Sequence, residues 1–276
     1  MAVHFGQTGD DMEEMKRSRD WQPDQYLLFQ DERTQPAIDL IRRVGPKTPA
    51  RILDLGCGPG NSTGVLAAFW PDAELTGVDS SETMLEKAAK TQVNARWVRH
   101  DGSRDMAFLG RFDLIFSNAA LQWIPGTEQL LPRLYAMLNP GGTLAVQAPY
   151  VRELPVYSRI VDLTERPEWK RYFAEPVVYP LHRSYRFYYA ILATLGAPFS
   201  LFQTEYIHVM DSHEAVVEWY KEGSGLRPFL NKLPSDELRE RFTVDYAEEI
   251  RAAYPVEADG KVLLPFNRVF FIVEKN

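Results

Sequence analysis

The sequence predicts an α/β fold: a doubly wound, seven-stranded, mostly parallel sheet with helical inserts near its C-terminal end. The main observation is that short apolar runs alternate with helical stretches between about residues 50 and 150. This alternation is typical of a parallel sheet covered by helices on both faces. A second observation is that 45% of the 276 residues are hydrophobic, enough for one full core with elaborations. We therefore expect a single domain over residues 21–276.

The N-terminal region divides into a polar segment and a helical pattern. Residues 1–20 carry charges of both signs without a sustained apolar period, so we expect a poorly ordered extension without chemistry. Apolar side chains then recur at helical spacing between Pro23 and about Val44. The sequence GPKTP that follows predicts the end of this helix.

Seven apolar runs are predicted to be strands. Five of them, with helical stretches at about 61–69, 81–90 and 127–138 between them, form a nucleotide-binding core over residues 50–150. The last two flank a mostly helical segment near the end of the chain. The predicted strands are 51–55, 74–79, 95–100, 112–117, 143–148, 201–210 and 262–273.

Two helical inserts, at about 151–199 and 211–260, interrupt the strand pattern near its end. The first insert is rich in aromatic residues and has more basic than acidic side chains, in a chain whose formal charge is −7. Most of those basic residues are expected to form a solvated face. We expect the inserts to cover a substrate site on the core.

Composition argues against several classes of function. The negative net charge disfavours a broad nucleic-acid surface, and no stretch of about 18 apolar residues predicts a membrane span. With Cys57 as the single cysteine and no recognisable targeting segment, we expect a cytoplasmic protein without an intrachain disulfide. The five histidines lack metal-ligand spacing, so no metal is predicted. The oligomeric state stays open.

The glycine-rich stretch DLGCGPGN, which begins at Asp54, predicts a ligand site. A strand that enters a glycine turn and opens a helix places backbone N–H groups against a ligand at the carboxyl edge of the sheet. Asn61 stands where the dinucleotide pattern requires a third glycine, which disfavours NAD. Asp79 ends the next strand, where a carboxylate can accept both ribose hydroxyls. Cys57 is interpreted as a packing side chain in this turn rather than as a nucleophile.

Five segments, ILDLGCGPG, TGVDSSETML, HDGSRD, FDLIFSNAALQW and LNPGGTLAV, together resemble the successive motifs of class I S-adenosylmethionine-dependent methyltransferases. The resemblance implies a Rossmann-like fold, with S-adenosylmethionine as cofactor and S-adenosylhomocysteine as its product. It also implies a set of cofactor-binding residues. These are Asp54, Gly56, Cys57, Gly58, Pro59 and Gly60 for the methionine portion, Asp79 for the ribose, Ser80 and Met84 near the adenine, Asp101 and Gly102 for the adenine amine, and Asn118 and Ala119 near the sulfonium.

The segments WQPDQYLLFQDERTQPA, LQW, EWYKEGSGLRPFL and AYP…DGKVLLPF, all but LQW outside that core, resemble the trans-aconitate methyltransferases. The extra residues 1–20 depart from the short start usual in that family. The resemblance implies methylation of a carboxylate of a small polycarboxylic acid, most simply trans-aconitate, to give a monomethyl ester. The substrate-binding residues predicted from it are Tyr26, Trp123, Arg183, Lys221 and Arg227.

Such a reaction places few demands on catalytic groups. A carboxylate is ionised at neutral pH and needs no general base, so we expect no catalytic acid or base. Catalysis would depend on two contributions: alignment of the carboxylate with the methyl group, and exclusion of water from the pocket.

Other functions stay open at this point. The LQW segment also occurs in malonyl-carrier-protein methyl ester synthases, which would need a basic surface for an acidic partner. A module that binds S-adenosylmethionine without transferring its methyl group is the alternative outside the enzymes. A nucleic-acid amino-methyltransferase is disfavoured, because SNAA occupies the place where such enzymes carry an Asn/Asp-Pro-Pro-aromatic run.

Overall fold

The computed structural model describes residues 34–175, 177, 183–222 and 225–276. The predictions made for residues 1–20, for Tyr26 and for the first part of the N-terminal helix therefore lie outside the described residues.

The described strands form one seven-stranded sheet with the order β3-β2-β1-β4-β5-β7-β6. The first five strands pair in parallel, whereas β7 runs antiparallel between β5 and β6. This architecture confirms the predicted doubly wound, mostly parallel sheet. The strands are β1 (Arg51–Leu55), β2 (Glu74–Asp79), β3 (Ala95–Arg99), β4 (Phe112–Asn118), β5 (Leu138–Pro149), β6 (Phe199–Met210) and β7 (Val262–Glu274).

Helices connect the strands of the core and make up most of the two inserts. The α-helices within the described residues are α1 (Gln35–Val44), α2 (Asn61–Phe69), α3 (Glu82–Ala88), α4 (Thr127–Ala136), α5 (Pro155–Thr164), α6 (Pro167–Lys170), α7 (Tyr185–Leu192), α8 (His213–Glu222), α9 (Arg227–Leu230) and α10 (Asp236–Ala253). Short 3₁₀ segments lie at Ala107–Leu109, Leu121–Trp123 and Ala193–Leu195.

Each face of the sheet is buried beneath helices. Successive side chains of a strand point to opposite faces, so Ile52 packs with α1 on one face while Leu53 packs on the other. Helix α7 belongs to the second face, where the ring of Tyr188 lies 5.3 Å from that of Phe271. The end of the first insert is thus part of the sheet core rather than of the substrate cover.

The remaining insert helices form a hydrophobic core of their own, separate from the two cores on the faces of the sheet. We call residues 155–170 and 213–253 the helical cover, because buried side chains from both segments pack together. The ring of Trp169 lies 5.0 Å from that of Phe242, and its indole N–H donates to Asp245 at 2.7 Å. The hydroxyl of Tyr246 donates to the carbonyl of Val156 at 2.9 Å. The two inserts therefore stabilise each other although they are far apart in sequence.

The antiparallel direction of β7 determines which residues reach the functional edge of the sheet. Strands β1, β4 and β5 end at this edge, and the register pairs Pro149, the last residue of β5, with Arg268. The first half of β7 consequently lies beside the carboxyl ends of the parallel strands, where ligands bind in open α/β sheets.

Candidate active site

The glycine loop, residues 56–60, joins β1 to α2 in a conformation that depends on glycine. The N–H groups of Gly56 and Cys57 both donate to the carbonyl of Val78, at 2.7 and 3.1 Å. Gly56 has a φ of +75°, and a β-carbon there would lie 2.1 Å from that of Ala120. The loop can therefore approach the loop after β4 only because position 56 lacks a side chain.

Asp79 connects the glycine loop to the end of β2. Its carboxylate accepts the N–H of Gly58 at 2.9 Å and the N–H of Ser81 at 2.8 Å. One side chain thus fixes the loop and faces the adjoining cavity. A carboxylate at this place is suited to two ribose hydroxyls, as the sequence predicts.

A cavity of about 420 Å³, which we call the donor cavity, lies over the ends of β1 to β4. It brings together many of the predicted cofactor residues, and its further walls include His100, Ile124 and Leu55, which the sequence analysis did not single out. The predicted residues that line it are Gly56, Gly58, Pro59, Asp79, Ser80, Met84, Asp101, Gly102, Ala119 and Trp123.

Asp101 provides an exposed acceptor at one end of the donor cavity. Its carboxylate accepts the hydroxyl of Ser103 at 2.7 Å and the N–H of the same residue at 2.9 Å. These two bonds, the side-chain bond above all, hold the pKa of Asp101 below its usual range. The side chain is therefore a stable anion that can accept from an exocyclic amine.

A second cavity of about 280 Å³, the acceptor cavity, adjoins the first. The two cavities share Gly56, Gly58, Pro59, Ala119 and Trp123, so they meet at the glycine loop and the loop after β4. Trp123 is 46% exposed and stands between them. The other residues of the acceptor cavity are Thr34, Ala37, Cys57, Asn61, Ser62, Asn118, Gln122, Pro149, Trp219, Phe266 and Arg268.

Asp54 lies beneath the glycine loop with 1% of its surface exposed. Burial raises its pKa to about 6, although hydrogen bonds from Thr63 at 2.6 Å and Ser62 at 2.7 Å oppose the rise. Both hydroxyls donate to the same oxygen, Oδ2. The other oxygen is buried and has no partner within the described part of the chain.

Three buried side-chain oxygens lie near the glycine loop and the loop after β4. Besides Asp54 Oδ1, the buried oxygens Asn118 Oδ1 and Gln122 Oε1 lack a hydrogen-bond partner among the described residues. All three are acceptors, and an ammonium group would satisfy them. The residues therefore fit the cationic methionine portion of S-adenosylmethionine better than they fit a phosphate.

Cys57 is 2% exposed, and its sulfur lies 3.8 Å from the carbonyl oxygen of Gly58. Burial raises the pKa of this thiol, with the nearby charge of Asp54 acting in the same direction. The thiol consequently stays neutral at physiological pH and is not an activated nucleophile.

Comparisons with known proteins agree with this geometry. A family model described as a methyltransferase domain matches residues 52–142. Trans-aconitate 2-methyltransferase from Variovorax paradoxus is 42% identical, over 93% of this chain and 98% of the relative. The protein of the same name from Escherichia coli is 37% identical, with coverages of 93% and 98%. This chain belongs to the trans-aconitate 2-methyltransferase family.

Solved structures of proteins with low sequence identity to this chain share its fold. The YcgJ protein from Bacillus subtilis superimposes with a TM-score of 0.59 at 18% identity, covering 88% of this chain and 99% of that one. Phosphoethanolamine N-methyltransferase 2 from Haemonchus contortus, solved with S-adenosylhomocysteine, gives a TM-score of 0.51 at 20% identity, with coverages of 87% and 52%.

The described residues offer neither a membrane-spanning helix nor a cluster of metal ligands. None of their helices is long and apolar enough to cross a membrane. The same residues contain no group of three or more His, Cys, Asp or Glu side chains that could hold a metal ion.

The substrate-binding residues predicted for this member of the trans-aconitate 2-methyltransferase family do not lie together in one cavity. Trp123 lines both cavities. Arg183 donates to the hydroxyl of Thr127 and lies 4.9 Å from the ring of Phe187. Lys221 is exposed, 3.4 Å from Glu218, and Arg227 is exposed at the start of α9. Neither cavity, in its described lining, includes Arg183, Lys221 or Arg227, whose roles stay predictions.

Arg268 is the basic residue that the sequence analysis missed. It lies on β7, 5% exposed, in the wall of the acceptor cavity. A signal for it exists in the sequence, because period-two alternation places Arg268 on the same face as Phe266 and Phe270. An arginine on an otherwise apolar face of a buried strand is unusual and marks a functional candidate.

Proposed function

We propose that this protein transfers the methyl group of S-adenosylmethionine to a carboxylate of trans-aconitate, which gives a monomethyl ester. The observation that carries this proposal is the junction of two cavities, one suited to an adenosine and the other containing a buried guanidinium. The trans-aconitate 2-methyltransferases named above, similar over most of their length, support the choice of acid.

The chain's own residues bind and orient the two reactants. S-adenosylmethionine, when bound, supplies a methyl group activated by its positive sulfur. Asp79 would hold the ribose hydroxyls while it keeps the glycine loop in place through Gly58. Asp54 and the loop would bind the methionine portion, and Asp101 would accept from the adenine amine. These assignments follow the predicted residues: Asp79 and Asp101 line the donor cavity, whereas Asp54 is buried beneath the glycine loop.

Positioning is the main catalytic contribution in this proposal. The described lining of the acceptor cavity contains no histidine and no carboxylate, so none of these lining residues is suited to act as a general base. The substrate carboxylate is already ionised at neutral pH. Alignment of reacting groups is worth up to about 7–11 kcal/mol in favourable cases. Trp123, Trp219 and Phe266 would exclude water, which favours neutralisation of the two opposite charges.

The proposal extends to the partner and the compartment. A small polycarboxylate is the partner, and the single cysteine is consistent with a reducing cytoplasm. The names of the curated relatives do not favour a carrier-protein substrate.

A labelled-donor assay tests the function directly. The protein is incubated with methyl-labelled S-adenosylmethionine and separately with trans-aconitate or a malonyl-loaded carrier protein, and products are identified by mass spectrometry. We expect a trans-aconitate monomethyl ester and an unlabelled carrier protein. Single-turnover rates at saturating donor should be flat from about pH 6 to 8, because no enzyme base takes part. A labelled carrier protein, or no labelled acid at all, would contradict the proposal.

A further inference from the structure

We propose that Arg268 binds a carboxylate of the acceptor acid that is not methylated, and that this contact selects a polycarboxylate over simpler acids. The inference rests on the proposed function, which supplies the acid. It assigns a specificity-determining residue to the acceptor cavity that the sequence motifs do not indicate.

The first argument is the charge distribution of the acceptor cavity. Arg268 is the one charged side chain among the described residues that line it, and it is 5% exposed. Arginine stays protonated in proteins, even when it is buried. In a cavity screened from water its charge acts at low effective dielectric and favours an anion. A substrate with several carboxylates supplies that anion without using its reactive group.

The second argument is the aromatic frame around the guanidinium. The central carbon of Arg268 lies 5.0 Å from the ring centre of Phe266 and 5.8 Å from that of Tyr206. Trp219 packs edge-on against Phe266 with 5.0 Å between ring centres. Aromatic faces attract the cation and restrict its plane. A guanidinium held in this way is prepared for two parallel bonds to a planar carboxylate.

Asp39 on the neighbouring helix α1 supports the aromatic frame around Arg268. Asp39 of α1 accepts the hydroxyl of Tyr206 at 2.8 Å through one oxygen and the amide of Gln35 at 2.8 Å through the other. The contact between Tyr206 and Asp39 ties α1 to β6 and supports the ring that packs against Arg268. We interpret this pair as positioning the guanidinium.

The chemistry decides which substrate carboxylate Arg268 can bind. Two charge-assisted hydrogen bonds stabilise a carboxylate as an anion and make its oxygens poorer nucleophiles. Arg268 therefore binds a carboxylate that does not react. The reacting carboxylate belongs at the junction of the two cavities, near Ala119 and Trp123.

The test uses trans-aconitate and three dicarboxylates that each lack one of its carboxylates: itaconate, mesaconate and glutaconate. Wild type, Arg268→Met and Arg268→Lys are compared for kcat/KM with every acid. Methionine keeps an apolar side chain of similar length but has no charge. Lysine keeps the positive charge but lacks the planar guanidinium that can donate two parallel bonds to a carboxylate. We expect Arg268→Met to lower kcat/KM for trans-aconitate at least about tenfold, mainly through KM, and Arg268→Lys to lower it less.

The pattern across the acids distinguishes binding from a structural role. The dicarboxylate that lacks the carboxylate held by Arg268 should react with wild type and variant at the same kcat/KM. Of the other two acids, the one that keeps both the reacting carboxylate and the carboxylate held by Arg268 should show the same loss as trans-aconitate, and the one that lacks the reacting carboxylate should not be methylated. An equal loss for every acid, or no loss, would overturn the inference, and Arg268→Lys carries this comparison if Arg268→Met does not fold.

Three controls complete the experiment. Calorimetry should give wild-type affinity for S-adenosylhomocysteine in both variants, which shows an intact donor site. Arg96→Gln, at an exposed arginine on β3 at the far edge of the sheet, should react like wild type with every acid. If wild type methylates none of the four acids, the proposed function itself fails, and the inference falls with it for that separate reason.

Discussion

At the residue scale, the burial of Asp54 makes the stability of the protein depend on pH. Its folded-state pKa is about 6, whereas its ordinary value is 3.8, so the folded protein keeps a proton that the unfolded chain has lost. Unfolding therefore releases a proton between these pH values, and the free energy of unfolding falls as pH rises through that window. The loss is about 3 kcal/mol if the whole shift is expressed.

The same shift predicts a pH dependence of donor binding. A cationic methionine group beside Asp54 favours the ionised carboxylate, so a protonated Asp54 must lose its proton when the donor binds. We expect the affinity for S-adenosylmethionine to be about tenfold weaker at pH 5 than at pH 7. Near pH 5.5, binding should also release the proton of Asp54 to the buffer. Calorimetry in buffers with different ionisation enthalpies measures both quantities.

Asp54→Asn is the matched control for this prediction, because it keeps the shape of the side chain and removes the titration. The variant should bind the donor more weakly at pH 7 and with little dependence on pH. A wild-type affinity that is constant from pH 5 to 7 would show that Asp54 does not face the cation.

At the residue level, the sequence indicates the two cavities to different degrees. The residues predicted for the donor cavity come from local sequence, because a glycine turn and a strand-terminal carboxylate fix their own geometry over a few residues. The acceptor cavity depends on β7, more than 200 residues after the loop that it faces. Arg268 was missed because sequence spacing does not give the antiparallel addition of β7 beside β5.

At the scale of elements, the glycine loop requires close contact with the loop after β4. We expect Gly56→Ala to weaken S-adenosylmethionine binding at least about tenfold, because its β-carbon would lie 2.1 Å from that of Ala120. The loop would have to move away from both cavities. Calorimetry of the folded variant measures the affinity, and thermal unfolding measures the accompanying loss of stability.

Gly141→Ala separates this collision from backbone strain. Gly141 has the same φ of +75°, and a β-carbon there would have no atom within 4 Å. That variant should lose about 1–2 kcal/mol of stability through the left-handed conformation alone, with unchanged donor affinity. If both variants bind the donor equally well, the contact between the loops is not what shapes the site.

Strand and helix positions were more predictable than their partners. The bounds of β1, β2 and α2 agree with the sequence pattern, since each is a short apolar or glycine-bounded run. The role of α7 was not predictable, because its aromatic residues suit either the cover or the sheet core. Packing of Tyr188 against Phe271 decides in favour of the sheet.

At the scale of the whole molecule, the sheet and the helical cover line different parts of the candidate site. The donor cavity is built from loops at the edge of the sheet, whereas the helical cover contributes Trp219 of α8 to the acceptor cavity. The cover has its own core, in which Phe242 lies 5.0 Å from the ring of Trp169 and 5.4 Å from that of Phe173. Loosening the cover should therefore affect the acid more than the donor.

Phe242→Ala tests this division. Truncation of a buried phenylalanine costs about 3–5 kcal/mol, and we expect this cost to appear as faster hydrogen exchange in α5 and α10, with the sheet still protected. Affinity for S-adenosylmethionine should stay within about twofold of wild type, whereas KM for trans-aconitate should rise several-fold because Trp219 loses its support.

Val244→Ala, at an exposed position on the same helix, is the matched control and should change neither quantity. If Phe242→Ala reduces protection of cover and sheet together and donor affinity falls in parallel with acid binding, the cover and the sheet unfold as one cooperative unit, and the cover cannot act on the acid alone.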